Sequence, residues 1–190
     1  MSLLALAAAV PLAWEGRAIV HAGGRTVPIA VRTRVEADGT VVSDSWPLAE
    51  GEAKGLRRMR LSAAGTGTLT RGGQTTALEA DFAAEETAQF GFYQQLQVAA
   101  DQCAAQTQTG PGSNVIEVHS PGTTATAFRC EWNRITNAAN WVAAPGRPVR
   151  QDFRLIGRWR SGSAVFPRRL QIKRDGVLFF DLRVARFGSR

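Results

Sequence analysis

Apolar and polar side chains alternate with a period of two along several stretches of the chain. Ile29, Val31 and Val35, for example, alternate with Arg32 and Arg34. Successive side chains of a β-strand point to opposite faces, so this pattern predicts strands with one apolar and one charged face. Such strands are typical of antiparallel sheets that bury one side and expose the other.

Turn-forming dipeptides separate the alternating stretches and predict tight hairpins. If Asp38-Gly39 closes a two-residue loop, Val31 lies opposite Trp46, and Trp46 joins the apolar face. The predicted hairpin tips are Gly23-Gly24, Asp38-Gly39, Gly72-Gly73 and Asp175-Gly176.

The last hairpin is predicted to have a three-residue loop that ends in a left-handed bulge at Gly176. This register pairs Ile172 with Leu178 and Leu170 with Phe180, whereas a two-residue loop would set Leu170 opposite a charged residue. The bulged form therefore predicts one apolar face and one charged face for the final two strands.

One main helix is predicted over Ala80 to Ala105, with two shorter helices as the alternative because Gly91 weakens its middle. Residues 106–113 form a polar loop, and residues 133–149 are predicted to be irregular, with one helical turn at 137–141. The apolar residues at helical spacing are Phe82, Phe90, Tyr93, Leu96, Ala100 and Cys103.

The first thirteen residues are apolar and end in small side chains, as the later part of a secretory signal does. Residues 1–13 are therefore interpreted as a signal-peptide remnant cleaved after Ala13, with a buried first element as the alternative. The run is shorter than the roughly 20 residues that span a bilayer. Residues 14–190 are expected to form a single β-rich domain.

The two cysteines, Cys103 and Cys130, have no CxxC spacing and no paired histidine, so no zinc ligand set is expected. We expect a disulfide, with two reduced buried thiols as the alternative. Since disulfides persist in oxidising compartments, the expected location is the periplasm or the cell exterior.

The chain has a net charge of +7, and its arginines are concentrated after residue 146. A basic surface attracts nucleic acid, anionic lipid headgroups or lipopolysaccharide, but arginines at alternate strand positions also form an ordinary solvated face. Nucleic-acid binding is not expected, because Phe153, Leu155 and Trp159 share strand parity and form a buried stripe rather than a stacking platform.

The sequence shows no catalytic pattern. His21 and His119 have no neighbouring Cys, Ser or carboxylate motif, and the glycine pairs lie in hairpins instead of opening helices. Glu85 and Glu86 are adjacent on a helix and point in different directions. We therefore expect no enzyme activity, no metal and no cofactor.

Two stretches resemble the superfamily of periplasmic lipoprotein carriers and outer-membrane lipoprotein acceptors. Residues 65–74 lead into the helix at 82–100, like the family's strand, turn and lid helix. Residues 153–160, followed by 165–176 and 178–187, are similar to its closing hairpin. The resemblance implies an incompletely closed barrel with helices across its open side and an apolar cavity for acyl chains. No lipobox cysteine follows the leader, so a lipid-anchored acceptor is not expected.

The combined hypothesis is a mainly β (α+β) fold, with a curved antiparallel sheet or incompletely closed barrel and one main helix over the open side. Its function would be that of a periplasmic carrier for a lipid or other amphiphile, with Arg58, Arg60 or Arg169 near the mouth. The alternative is an envelope interaction protein whose basic face binds an acidic partner or lipopolysaccharide. The predicted cavity residues are Trp46, Met59, Phe90, Tyr93, Leu96, Leu170, Ile172 and Phe180.

Overall fold

The computed structural model describes residues 10–106, 113–119, 124–142 and 147–188. The helices are α1 (Gly51–Gly55) and α2 (Ala80–Ala105). The strands are β1 (Leu12–Ala22), β2 (Arg25–Val35), β3 (Val41–Pro47), β4 (Arg57–Leu61), β5 (Gly67–Arg71), β6 (Gln74–Ala77), β7 (Ser113–Val118), β8 (Thr126–Glu131), β9 (Arg134–Val142), β10 (Val149–Ile156), β11 (Trp159–Ser161), β12 (Ala164–Phe166), β13 (Arg169–Arg174) and β14 (Val177–Gly188).

Twelve of these strands form one antiparallel sheet in the order β6-β5-β4-β3-β2-β1-β14-β13-β10-β9-β8-β7, while β11 and β12 form a separate hairpin. The first and last strands, β1 and β14, pair in the middle of the sheet. Within the described ranges β6 and β7 do not pair with each other, so the sheet is not closed. The predicted fold class, a mainly β open antiparallel sheet with one main helix, is confirmed.

All four predicted hairpin tips occur, but the loop at Asp38-Gly39 is longer than predicted. Val35 pairs with Val41, and the Asp38 carboxylate accepts a 2.8 Å hydrogen bond from the backbone N–H of Thr40 within a five-residue loop. The predicted two-residue register is therefore wrong. Trp46 pairs with Ala30 and lies on the face opposite to the one predicted.

The last hairpin also differs from its prediction in register. Its loop has two residues, Asp175-Gly176, with φ angles of 46° and 83°. The predicted pairings are wrong, because Ile172 pairs with Phe180 and Leu170 with Leu182. The register shifts between Ile172 and Lys173, and this shift returns the four apolar side chains to one face.

Helix α2 is continuous through Gly91 and has the predicted bounds. A disulfide joins Cys103, near its end, to Cys130 in β8, with the two Cα atoms 5.7 Å apart. Residues 143–146 of the predicted irregular stretch lie outside the described ranges, but for residues 134–142 both the irregular structure and the helical turn at 137–141 are wrong. Strand β9 occupies this region, because it finds backbone partners in both β8 and β10.

The first described residues belong to the folded domain. Leu12 and Ala13 lie in β1 and pair with Val35 and Arg34 of β2, and Leu12 is buried. Residues 1–9 and 107–112 lie outside the described ranges, so the signal remnant and the polar loop after α2 stay predictions.

The two faces of the sheet have different chemistry. We call the face that carries Trp14, Val31, Phe128 and Leu170 the inner face; it is apolar, and these side chains are buried. The opposite, outer face carries most of the charged side chains of the strands. Because α2 packs its aromatic side chains against the inner face, helix and sheet bury their apolar surfaces together.

Candidate functional site

Aromatic side chains fill the space between α2 and the inner face. The ring of Phe92 stacks on that of Phe153 with centroids 4.0 Å apart. The Trp14 ring lies 4.7 Å from that of Phe166 and 4.9 Å from that of Tyr93. Such pairs add to the free energy of burial, so the central part of the helix is firmly packed on the sheet.

The structure separates the eight predicted cavity residues into three groups. Phe180 is half-buried on the inner face, while Trp46 lies on the outer face below the guanidinium of Arg32, 5.6 Å from its ring centroid. Their role as ligand contacts stays a prediction, and for Trp46 the inner-face placement on which it depended is wrong. The six that are buried between α2 and the inner face are Met59, Phe90, Tyr93, Leu96, Leu170 and Ile172.

A row of buried polar side chains crosses the inner face beside these rings. Thr126 donates to the side-chain oxygen of Gln95 in α2 and accepts a 3.4 Å hydrogen bond from Asn140. With its amide oriented to satisfy its neighbours, Gln151 donates to Asn140 and accepts from Arg174 at 3.2 Å. Each side chain of the row has a hydrogen-bond partner. Its polar groups are therefore satisfied, although they are buried away from water.

The row ends in acidic residues on the first half of α2. Arg174 forms an ion pair with Glu85 and lies over the ring of Phe179, 3.6 Å from its centroid. The neighbouring Glu86 carboxyl is desolvated, and this burial, with the charge of Glu85, raises its pKa to about 7. Glu86 therefore takes up a proton near neutral pH in the folded protein.

A pocket of about 210 Å³ opens between the second half of α2, the start of β9, the end of β10 and the β11–β12 hairpin. We call it the α2–β9 pocket. Its floor is apolar, and Leu96, Val165 and Phe166 in it are buried. Its lining is Leu96, Ala100, Asn133, Arg134, Ile135, Thr136, Leu155, Gly157, Arg158, Val165, Phe166 and Pro167.

A side-chain amide links two walls of this pocket, α2 and the β11–β12 hairpin. Gln97 of α2 donates to the carbonyl oxygen of Val165 and accepts from its backbone N–H, both at 2.9 Å. Among the described residues β11 and β12 pair only with each other, so these two hydrogen bonds attach the hairpin to the helix, while the Trp159 ring N–H attaches it to the carbonyl oxygen of Val184 in β14. The apolar floor of the α2–β9 pocket therefore lies between two elements, α2 and the β11–β12 hairpin, that are joined by hydrogen bonds.

The arginines predicted near a cavity mouth lie instead on the outer face. Arg58 donates two hydrogen bonds to Asp44, at 2.7 and 2.9 Å, and Arg169 donates to Asp181 at 2.8 Å. Arg60 alternates with Met59 and Leu61 and is exposed on the same outer face. The predicted placement of these arginines at a mouth is wrong.

A larger cleft of about 330 Å³ lies mainly on the outer face of β1, β2, β3 and β14. Its charges neutralise one another: Asp44 binds Arg32 as well as Arg58, and Glu15 pairs with Arg186 at 3.0 Å. Asp44 is almost fully buried, and the hydrogen bonds from Arg58 lower its pKa. This cleft has no uncompensated charge to attract a ligand, which makes it a weaker candidate than the α2–β9 pocket.

Sequence reasoning did not identify the lining of the α2–β9 pocket, apart from Leu96. Arg134 and Arg158 are 24 positions apart in the chain, and only the pairing of β9 with β10 brings them to the same opening. The glycine at position 157 was a sequence signal for the turn that presents Arg158, because glycine readily adopts the left-handed φ of 65° found there.

The described ranges contain neither a metal-binding cluster nor a membrane-spanning helix. No group of three or more His, Cys, Asp or Glu side chains is placed to hold a metal ion there. None of the helices described combines the length and apolar character needed to cross a membrane.

The fold is similar to that of several solved structures, whereas sequence comparisons find no match. No family model matches the chain. No curated protein matches it either. A LolA superfamily protein from Nitrosomonas europaea superposes with a TM-score of 0.56 at 10% identity, over 97% of this chain and 87% of that one. A putative outer membrane lipoprotein-sorting protein domain from Vibrio parahaemolyticus gives a TM-score of 0.55 at 7% identity, over 94% and 84%. The resemblance drawn from the sequence is confirmed at the level of the fold.

Proposed function

We propose that this protein is a non-enzymatic carrier of the cell envelope, periplasmic or secreted, that binds a lipid or another amphiphile. The observation that carries the proposal is the α2–β9 pocket, in which an apolar floor under the helix meets a polar rim. Binding sites for small apolar ligands combine these features, with a few polar groups that fix orientation.

Two further observations support the proposal. The fold is similar to that of a LolA superfamily protein and of a lipoprotein-sorting domain, although fold alone does not determine cargo. The disulfide between Cys103 and Cys130 suits an oxidising compartment. Leu96 belongs both to the predicted cavity residues and to the lining of the pocket.

The direct test is to fill the pocket and measure ligand. Ala100 lines the pocket, whereas Ala104 is exposed on the same helix, so Ala100→Phe and Ala104→Phe make the same substitution inside and outside the site. Native mass spectrometry of protein from an envelope fraction measures bound lipid, processing and the disulfide together. Calorimetry with octanol measures binding of a neutral chain.

We expect bound lipid and octanol binding in the wild type and in Ala104→Phe, and a loss of both in Ala100→Phe. A ligand-free wild type that does not bind octanol would refute the carrier proposal. If that ligand-free protein associated with lipopolysaccharide in a salt-sensitive manner, the alternative of an envelope interaction protein would replace it.

A further inference from the structure

Two arginines line the opening of the α2–β9 pocket, and a third lies close enough to one of them to affect its pKa. Arg134 is the first residue of β9, Arg158 lies between β10 and β11, and Arg160 lies in β11; all three are exposed. Arg134 and Arg158 line the pocket itself. The opening therefore carries a concentration of positive charge directly beside an apolar floor.

Two left-handed turns hold the lining arginines in place. Arg134 follows Trp132 and Asn133, with φ angles of 52° and 58°, and Arg158 follows Gly157, with φ of 65°. Left-handed backbone is rare outside glycine and fixes the direction in which the next residue leaves the turn. The two guanidinium groups are thus presented by turns at the ends of paired strands, and not by flexible tails.

No carboxylate among the described residues forms an ion pair with these three arginines. The outer-face arginines differ, since Arg58 and Arg169 each bind an aspartate. Burial and the charges of Arg160 and Arg134 lower the pKa of Arg158. The clustering of like charges is unfavourable in the free protein, and an anion at the opening would relieve it.

On the basis of the proposed carrier function, we propose that the α2–β9 pocket selects anionic single-chain amphiphiles. The carboxylate or phosphate headgroup lies between Arg134 and Arg158, and the first part of the acyl chain lies on the apolar floor that includes Leu96, Val165 and Phe166. A pocket of about 210 Å³ is smaller than the roughly 300–1,000 Å³ of drug-sized sites, so it takes one chain.

The chemistry of the two arginines supports a headgroup of this kind. Guanidinium groups present planar N–H donors that match carboxylate and phosphate oxygens, and these charge-assisted bonds are stronger than neutral ones. A neutral headgroup would leave the repulsion between the guanidinium groups unrelieved. The affinity of the pocket should therefore depend on headgroup charge as well as on chain length.

The test compares octanoate, octyl phosphate, octanol and inorganic phosphate by isothermal titration calorimetry against the intact chain. We expect both anionic amphiphiles to bind about tenfold more tightly than octanol, with an affinity that falls as salt rises. Inorganic phosphate, which has no chain, is expected to bind at least tenfold more weakly than octyl phosphate.

Single substitutions assign the effect to the two arginines. Arg134→Gln and Arg158→Gln should each weaken octanoate binding about fivefold or more, and should weaken octanol binding by a clearly smaller factor. Arg154→Gln is the matched control, because it removes the same charge from an exposed position of β10 that does not line the pocket. Circular dichroism confirms that the variants are folded.

The outcomes separate this inference from the function on which it rests. Equal affinities for octanoate and octanol, or an equal loss in Arg154→Gln, would overturn headgroup selection and leave the carrier proposal standing. Inorganic phosphate binding as tightly as octyl phosphate would show a free-anion site and overturn selection of amphiphiles. No binding of any chain would overturn both proposals.

Discussion

The disulfide between Cys103 and Cys130 allows a quantitative prediction about stability. Both cysteines are fully buried, and the bond closes a loop with a sequence separation of 27. For such a loop the chain-entropy relation gives about 12 cal/mol/K, or about 3.5 kcal/mol at 25 °C, of stabilisation through the unfolded state. A domain is stable by only about 5–15 kcal/mol, so this is a large share.

Urea unfolding followed by tryptophan fluorescence measures this contribution. With a slope of about 2 kcal/mol/M, reduction of the wild type should lower the unfolding midpoint by nearly 2 M. The double variant Cys103→Ala, Cys130→Ala should start from a lower midpoint and show no response to reductant, which controls for effects of reductant elsewhere. Two titratable thiols in the native protein, or a midpoint that reduction leaves unchanged, would refute the reasoning.

Three further changes test the sheet and its charges by urea unfolding. Gly16→Ala places a Cβ 2.1 Å from a backbone oxygen of β14 and should cost about 3 kcal/mol, whereas Gly188→Ala meets nothing within 4 Å; equal effects would contradict this packing. Burial raises the pKa of Glu86 to about 7 from 4.5, so the folded state binds its proton more tightly and loses stability as the pH rises between these values. Glu86→Gln should flatten that decline and stabilise the protein at pH 8 by about 2 kcal/mol, and an unchanged slope would disprove the assignment. Ion pairing lowers the pKa of Asp44, so its stabilisation is present at neutral pH and is lost as the pH falls below its ordinary value of 3.8. Asp44→Asn should cost about 1–2 kcal/mol at pH 7 and progressively less in acid, and a cost independent of pH would rule this out.

Local patterns predicted those features of the fold that depend on neighbours in the chain. Residue alternation predicted the two faces of the sheet, Gly-Gly and Asp-Gly dipeptides predicted the hairpin tips, and helical spacing predicted α2 from Ala80 to Ala105. The disulfide followed from the absence of any other partner for two cysteines. These signals are determined by backbone geometry over a few residues.

Features that depend on contacts distant in sequence were not predicted. Asp38 hydrogen-bonds within its own turn and lengthens the loop, and this moves Trp46 to the outer face, where Arg32 covers its ring. Strand β9 was predicted to be irregular, yet its polar Asn140 is buried and donates a hydrogen bond to Thr126 on the neighbouring strand. The opening of the α2–β9 pocket was not predicted for the same reason, because Arg134 and Arg158 come together only through the pairing of β9 with β10.

Helix α2 is attached at its two ends by bonds of different chemical kinds. Its last turns are anchored covalently through Cys103 and by the amide of Gln97, while its first turns rely on the ion pair of Glu85 with Arg174. Salt and acid weaken an ion pair but do not break a disulfide. Brief local unfolding should therefore begin at the Ala80 end, where amide hydrogens exchange sooner, and the pocket end should keep its shape when the ionic strength or pH changes.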